Sequence, residues 1–157
     1  MQIDERGMER FVVSDPGGDV IERLGDIPFF EVFAASEARQ KVLASGAWLR
    51  CPAGERVVRE GEAGHDFFVV VEGRVRIAKG GRPLDELTRG AVFGEMGALM
   101  HEPRTADVET VEPSLLFRMH VTALSGLDLS VVFPLMVHFY RIAARRLARA
   151  DSRLAMV

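Results

Sequence analysis

Apolar positions recur along this chain in three different rhythms. Up to about Gly46 they come in short clusters. Asp15-Pro16-Gly17-Gly18 is a turn signal, and Val20, Ile21 and Leu24 then suit a short helix ended by Gly25. Ile27-Pro28-Phe29-Phe30 and Val32-Phe33 form a bulky apolar knot. Ser36 has the chemistry of an N-cap for a helix through Ala44, with Gly46 beyond its end and Val42 and Leu43 turned toward the body of the protein.

From Ala47 to Met119 the rhythm changes to short apolar or alternating runs separated by glycine turns. The runs are Trp48–Cys51, Arg56–Arg59, Asp66–Glu72, Arg74–Ala78, Pro83–Leu87, Asp107–Val111 and Ser114–Met119. Val75 and Ile77 alternate with Arg74 and Arg76, which predicts a strand with one wet face. Phe67-Phe68-Val69-Val70-Val71 does not alternate, which predicts a strand covered on both faces. About eight short strands at this spacing predict a jelly-roll, barrel-like sandwich.

From Val121 the pattern is helical, with Ser125-Gly126 separating a short piece from a long one. Met136, Tyr140, Ala143, Leu147, Ala150, Leu154 and Val157 step by four and three in turn, the spacing of a heptad seam. Leu135, Phe139 and Ile142 widen it, and Pro134 should start or kink the helix. The fold expected is therefore α+β and mainly β. An eight-stranded jelly-roll β-barrel (27–119) is flanked by an N-terminal extension with a short helix (1–26) and C-terminal helices (120–157). The later part of the seam extends further than one barrel would cover, so the long helix is expected to pair with its copy in a homodimer.

Composition narrows the function. The chain has 157 residues, 48% apolar and 27% charged, and a net charge of −3. That is an ordinary globular composition with no overall attraction to nucleic acid or anionic membrane. A single cysteine, Cys51, excludes an intrachain disulfide and suits a reducing compartment. It is expected to be a small buried side chain in a strand. The polar start Met-Gln-Ile-Asp-Glu-Arg lacks an apolar signal core, and the apolar stretch from Val131 to Tyr140 is about half of the roughly 20 residues a membrane span needs. A cytoplasmic protein without membrane contact is expected. His65, His101, His120 and His138 are scattered in sequence without paired metal spacing, so no metal site is expected. No catalytic set stands out, so no enzyme is expected. Arg141, Arg145, Arg146, Arg149 and Arg153 read as a solvated helix face in preference to a nucleic-acid contact.

The segment with most chemistry is 93–106. Gly94-Glu95 opens a short apolar turn and Pro103-Arg104-Thr105 closes it. A carboxylate and a guanidinium nine positions apart suit a ligand with sugar hydroxyls at one end and a phosphate at the other. Backbone N–H groups at the start of the turn would complete an anion cradle.

This segment resembles the phosphate-binding cassette of the cyclic nucleotide-binding domain family: Gly94-Glu95-Met96-Gly97-Ala98-Leu99, then Pro103-Arg104-Thr105-Ala106. Pro52-Ala53-Gly54-Glu55, Arg59-Glu60-Gly61-Glu62-Ala63-Gly64 and Val71-Glu72-Gly73-Arg74-Val75 look like that family's strand-and-turn framework. Ile27-Pro28-Phe29-Phe30 looks like its entry motif. The resemblance covers about Ile27 to Arg153. It implies that Glu95 accepts from the ribose 2′-hydroxyl and Arg104 pairs with the cyclic phosphate. Gly94, Met96 and Gly97 would line ribose and phosphate with backbone N–H groups. Thr105 would reach either a phosphate oxygen or the polar edge of a syn base. A residue of the long helix, Phe139, Tyr140 or Arg141, would face the base. The family usually has Ala at Gly97 and Leu at Ala98, so the cassette is expected to be looser here.

The function this implies is a non-catalytic sensor of cAMP, with cGMP as the alternative ligand and no cofactor. It would signal through movement of the C-terminal helix to an unidentified effector protein. A module that keeps the fold only for protein interaction or dimerisation is a second reading. A third is the sensor part of a catabolite-activator-type transcription regulator. No recognition helix follows the long helix before Val157, so DNA binding is not expected.

Overall fold

The computed structural model describes residues 5–33 and 36–155. A 3-10 helix (Glu5–Phe11) leads into a two-residue strand, β1 (Val12–Val13). A second 3-10 helix (Ile21–Asp26) precedes α1 (Pro28–Glu31) and α2 (Ser36–Ser45). The strands that follow are β2 (Gly46–Cys51), β3 (Arg56–Val58), β4 (Asp66–Glu72), β5 (Val75–Lys79), β6 (Arg82–Leu87) and β7 (Val92–Phe93). A short helix, α3 (Glu95–Met100), separates β7 from β8 (Asp107–Thr110) and β9 (Ser114–His120). A third 3-10 helix (Val121–Gly126) and the long α4 (Leu129–Ala155) complete the described chain. The residues just before Ser36, and the Ser36 side chain expected to cap α2, lie outside the described residues.

The strands form two antiparallel sheets, ordered β1-β2-β9-β4-β7 and β3-β8-β5-β6. This corrects the expected eight-stranded jelly-roll barrel: the described residues make nine strands in two open sheets. The strands absent from the expectation, β1 and β7, are two residues long, too short for an alternation to register.

Two apolar cores share one central sheet. Phe67, Val69 and Val71 of β4 and Leu115, Phe117 and Met119 of β9 face the helices, where they meet Phe29, Phe30, Phe33, Leu135 and Phe139. The intervening Phe68 and Val70 of β4 and Leu116 of β9 face the second sheet, against Val57, Val58, Val75 and Val108. The alternation of a strand therefore feeds both cores, and the unbroken run Phe67–Val71 is fully buried as expected. Cys51 lies in the inter-sheet core, where burial pushes its thiol up to about 11. Among the described residues no helix is long and apolar enough to cross a membrane.

The register of α4 differs from the expected seam. Leu135 and Phe139 are buried and Ile142 packs against the same core, while Tyr140 is 74% and Leu147 65% exposed. The Phe139 ring lies edge-on to Phe67 at 5.4 Å and stacks toward Phe29 at 6.5 Å. Both stripes have heptad spacing; the aromatic pocket offered by Phe29 and Phe67 selects the one that carries Phe139. Pro134 lies inside α4, which begins ahead of it at Leu129. Phe139→Ala should lose about 3–5 kcal/mol of stability in urea unfolding. Tyr140→Ala should stay within about 0.5 kcal/mol, at protein concentrations too low for self-association.

Candidate functional site

The site grows from the edge of the five-stranded sheet. β7 pairs with β4 and ends at Phe93, and Gly94, with a φ of 83°, turns the chain directly into α3. A side chain is strained in that conformation, and a Cβ there would come within 2.9 Å of the Arg104 guanidinium. α3 stops at His101, a non-glycine residue at φ 54°, whose N–H caps the Gly97 carbonyl. The chain then returns through Pro103 to Arg104, whose backbone N–H donates to the Glu62 carbonyl at 2.9 Å.

Arg104 is 5% exposed and is fixed as a clamp. Its Nη1 donates to the Gly94 carbonyl at 2.7 Å and its Nη2 to the Asp66 carbonyl at 2.6 Å. These bonds tie the start of the cassette to the start of β4. The side chain passes directly over Gly64, where an added Cβ would lie 2.5 Å from Nε and Nη2.

Glu95 is completely buried. Its Oε1 accepts from Arg146 Nη1 of α4 at 2.8 Å, and Arg146 Nη2 donates to the Val92 carbonyl. Its Oε2 is buried without a hydrogen-bond partner among the described residues. Burial pushes the Glu95 carboxyl above its ordinary value. The Arg146 guanidinium, the residue's own backbone N–H and the Arg104 charge pull it back.

A cavity of about 260 Å³ opens between cassette, second sheet and α4. Gly94, Glu95, Met96, Gly97, Arg104 and Thr105, all six residues expected from sequence, line it. Val58, Ile77 and Val108 form an apolar wall, and Arg146 contributes a second guanidinium. Two cations against one carboxylate suit an anionic ligand, and the apolar wall suits a flat, uncharged group beside it.

The expected base contacts are not at this cavity. Phe139 is core, Tyr140 faces solvent, and Arg141 lines a separate groove with Pro28 and Glu31. The α4 residue that lines the cavity is instead Arg146, which sequence reading assigned to a solvated strip. Its signal was present: Leu135, Phe139, Ile142 and Arg146 step by four, three and four, so Arg146 continues the core face. The histidines are less scattered than their spacing implied, since His65 lies 5.8 Å ring to ring from both His101 and His120. Among the described residues no group of three His, Cys, Asp or Glu is arranged to hold a metal ion.

The model of the cyclic nucleotide-binding domain matches residues 48–127, just over half the chain. The chain belongs to the cyclic nucleotide-binding domain family. It is 35% identical over 106 residues to a cAMP-dependent protein kinase regulatory subunit of Mycosarcoma maydis, covering 65% of this chain and 20% of that protein. The chain thus spans a fifth of the length of that curated relative. Among solved structures, the Thermus thermophilus catabolite activator protein superposes with a TM-score of 0.66 at 29% identity, over 82% of this chain and 62% of that one. A cyclic nucleotide-binding domain from Methylobacillus flagellatus superposes with a TM-score of 0.67 over 92% of both chains; at 18% identity that likeness concerns the fold. Domains of this family are regulatory sensors, and the matched residues include the cassette described above.

The looseness expected of Gly97 can be tested directly. A Cβ at Gly97 would sit 3.5 Å from Arg104 Nη1 and from the Glu102 carbonyl, ordinary contact distances. Gly97→Ala should therefore fit and add about 0.5–1 kcal/mol of stability through backbone entropy. Gly64→Ala should force Arg104 from its clamp and lower the melting temperature, a contrast that parallel thermal unfolding of the two variants would reveal.

Proposed function

We propose that this domain is a non-catalytic sensor that binds cAMP in the 260 Å³ cavity. The observation that carries the reading is the convergence of Glu95, Arg104 and Thr105 on one cavity that also has an apolar wall. In this reading Arg104 holds the cyclic phosphate while its bonds to the Gly94 and Asp66 carbonyls keep it aimed. Glu95 accepts from the ribose 2′-hydroxyl. First-turn N–H groups of α3, which have no intrahelical acceptor, approach ribose and phosphate. Thr105, exposed at the cavity's rim, meets a phosphate oxygen or the edge of a syn base. The base lies against Val58, Ile77 and Val108. A ligand that interacts differently with two placements of α4 would shift its position, which is all a switch of this kind needs. An effector protein would read that shift.

Isothermal calorimetry with cAMP and cGMP tests this. The wild type should bind cAMP at sub-millimolar concentration. Arg104→Ala should weaken binding by about 10–100-fold, the equivalent of losing charge-assisted hydrogen bonds of about 1.5–3 kcal/mol. If neither nucleotide binds, the interaction-module reading takes its place.

The exposed apolar stripe of α4 favours self-association as a second element of this function. Phe133, Tyr140 and Leu147 are 64%, 74% and 65% exposed and lie seven residues apart. Two such stripes would pair as a coiled coil in a homodimer. Sedimentation equilibrium should give a dimer at micromolar concentration, and Leu147→Lys should give a monomer with an unchanged circular dichroism spectrum.

A further inference from the structure

We infer that His65, His101 and His120 form a proton-sensitive joint: neutral His120 caps the third 3-10 helix, and protonation of the cluster withdraws that cap. No step involves the nucleotide cavity, so the joint stands whether or not a nucleotide binds.

The cap is a defined contact. His120 ends β9 in an extended conformation, with φ −75° and ψ 136°, and its side chain accepts from the Thr122 backbone N–H. That N–H reaches Nδ1 at 3.2 Å, and Thr122 Oγ1 lies 2.7 Å from the same nitrogen. A backbone N–H only donates, so Nδ1 carries the lone pair and Nε2 the proton. An imidazolium donates from both nitrogens. Protonated His120 can still donate to the Thr122 hydroxyl, but the Thr122 N–H then loses its acceptor. The capping tautomer also keeps a proton on Nε2, and among the described residues no three His, Cys, Asp or Glu are arranged to hold a metal ion.

The second support is where the imidazoles meet. His65 precedes β4, His101 follows α3 and His120 ends β9. The His65 ring centroid lies 5.8 Å from those of both His101 and His120. Imidazolium charges at that spacing repel one another. His101 is exposed and the other two are half-buried, so protons from solvent reach all three. The Val121 N–H donates to the His65 carbonyl at 2.9 Å, next to the Thr122 N–H that His120 receives. These two bonds hold the first turn of the 3-10 helix to the start of β4. His101 already sits at φ 54°, a sparsely populated conformation, so repulsion acts there on a residue held under strain.

The charged groups around the cluster come from several elements. Asp66 pairs with His120 across the ladder, and its carboxylate lies 3.8 Å from Arg118 Nε. Arg118 also contacts Glu9 at 2.7 Å. Arg104 donates to the Asp66 carbonyl, the Glu62 carbonyl accepts from the Arg104 backbone, and Glu102 follows His101. The third 3-10 helix carries no charged side chain. The carboxylates favour added protons and the two guanidiniums oppose them. His138 lies on α4 beside Arg141 and Arg145, outside the cluster. A cap made only by the neutral form stabilises at neutral pH, and its contribution is lost as pH falls through the histidine range.

The test is a nuclear magnetic resonance titration of the labelled wild type from about pH 8 to about pH 5. It is paired with melting temperatures of the wild type and His120→Asn at the two ends of that range. Asparagine offers a capping carbonyl that does not titrate. The Thr122 amide signal should move in step with the His120 ring signals. On acidification the wild type should lose about 2–4 °C more than His120→Asn, the effect of one cap in a domain of this size. His65→Gln, with one positive charge fewer, should show a smaller acid loss than the wild type. A Thr122 amide that stays in place while the His120 ring titrates would overturn the cap. Equal acid losses in the wild type and His120→Asn would place the sensitivity elsewhere, His138 included, and overturn it too. An undiminished loss in His65→Gln would overturn the cluster. If His120→Asn fails to fold, the wild-type amide titration decides by itself.

Discussion

The constraint that organises this domain is the complete burial of one carboxylate. Taking an ionised Glu95 out of water costs on the order of several kcal/mol, and the fold accepts that cost at the end of an edge strand, where backbone carbonyls and two arginines can be brought close. Arg146 pairs directly with the carboxylate, and Arg104 contributes through its charge. The two guanidiniums are themselves anchored to carbonyls of Val92, Gly94 and Asp66. The cassette, the first residue of β4 and the terminal helix are joined by this single electrostatic knot.

The two cores explain why the knot can be rigid. β4 and β9 contribute alternate side chains to the helix-side core and to the inter-sheet core. The strand whose first carbonyl receives Arg104 is thus immobilised from both faces. The helix-side core also seats Leu135 and Phe139, which fixes the rotation of α4 and directs Arg146 at the cavity. Packing at Phe139 sets the helix register, and the register places Arg146 against the buried Glu95 carboxylate.

Much of this was readable from residues alone. The run Phe67–Val71 announced a strand buried on both sides because no position in it is polar. The six cassette residues expected from sequence line one cavity, because a turn of that length between two strands keeps Gly94 and Arg104 together. What was not readable depended on tertiary choice. β1 and β7 are too short to leave a period. α4 carries two interleaved stripes of equal spacing, and only the shape of the Phe29–Phe67 pocket decides between them. The meeting of His65, His101 and His120 comes from three separate elements and has no local signature. Arg146 was legible as a member of the core face but was hidden by its charge and by its arginine neighbours.

The reading proposed for the cavity bounded by Glu95, Arg104 and Arg146 is that it receives a cyclic nucleotide. The most direct measurement is a nuclear magnetic resonance titration of the uniformly labelled protein with cAMP. A nucleotide bound in this cavity should give saturable shifts, at sub-millimolar concentration, in the Gly94 and Gly97 amides and in the guanidinium signals of Arg104 and Arg146. Spectra unchanged by saturating nucleotide, or shifts confined to another face of the domain, would contradict it.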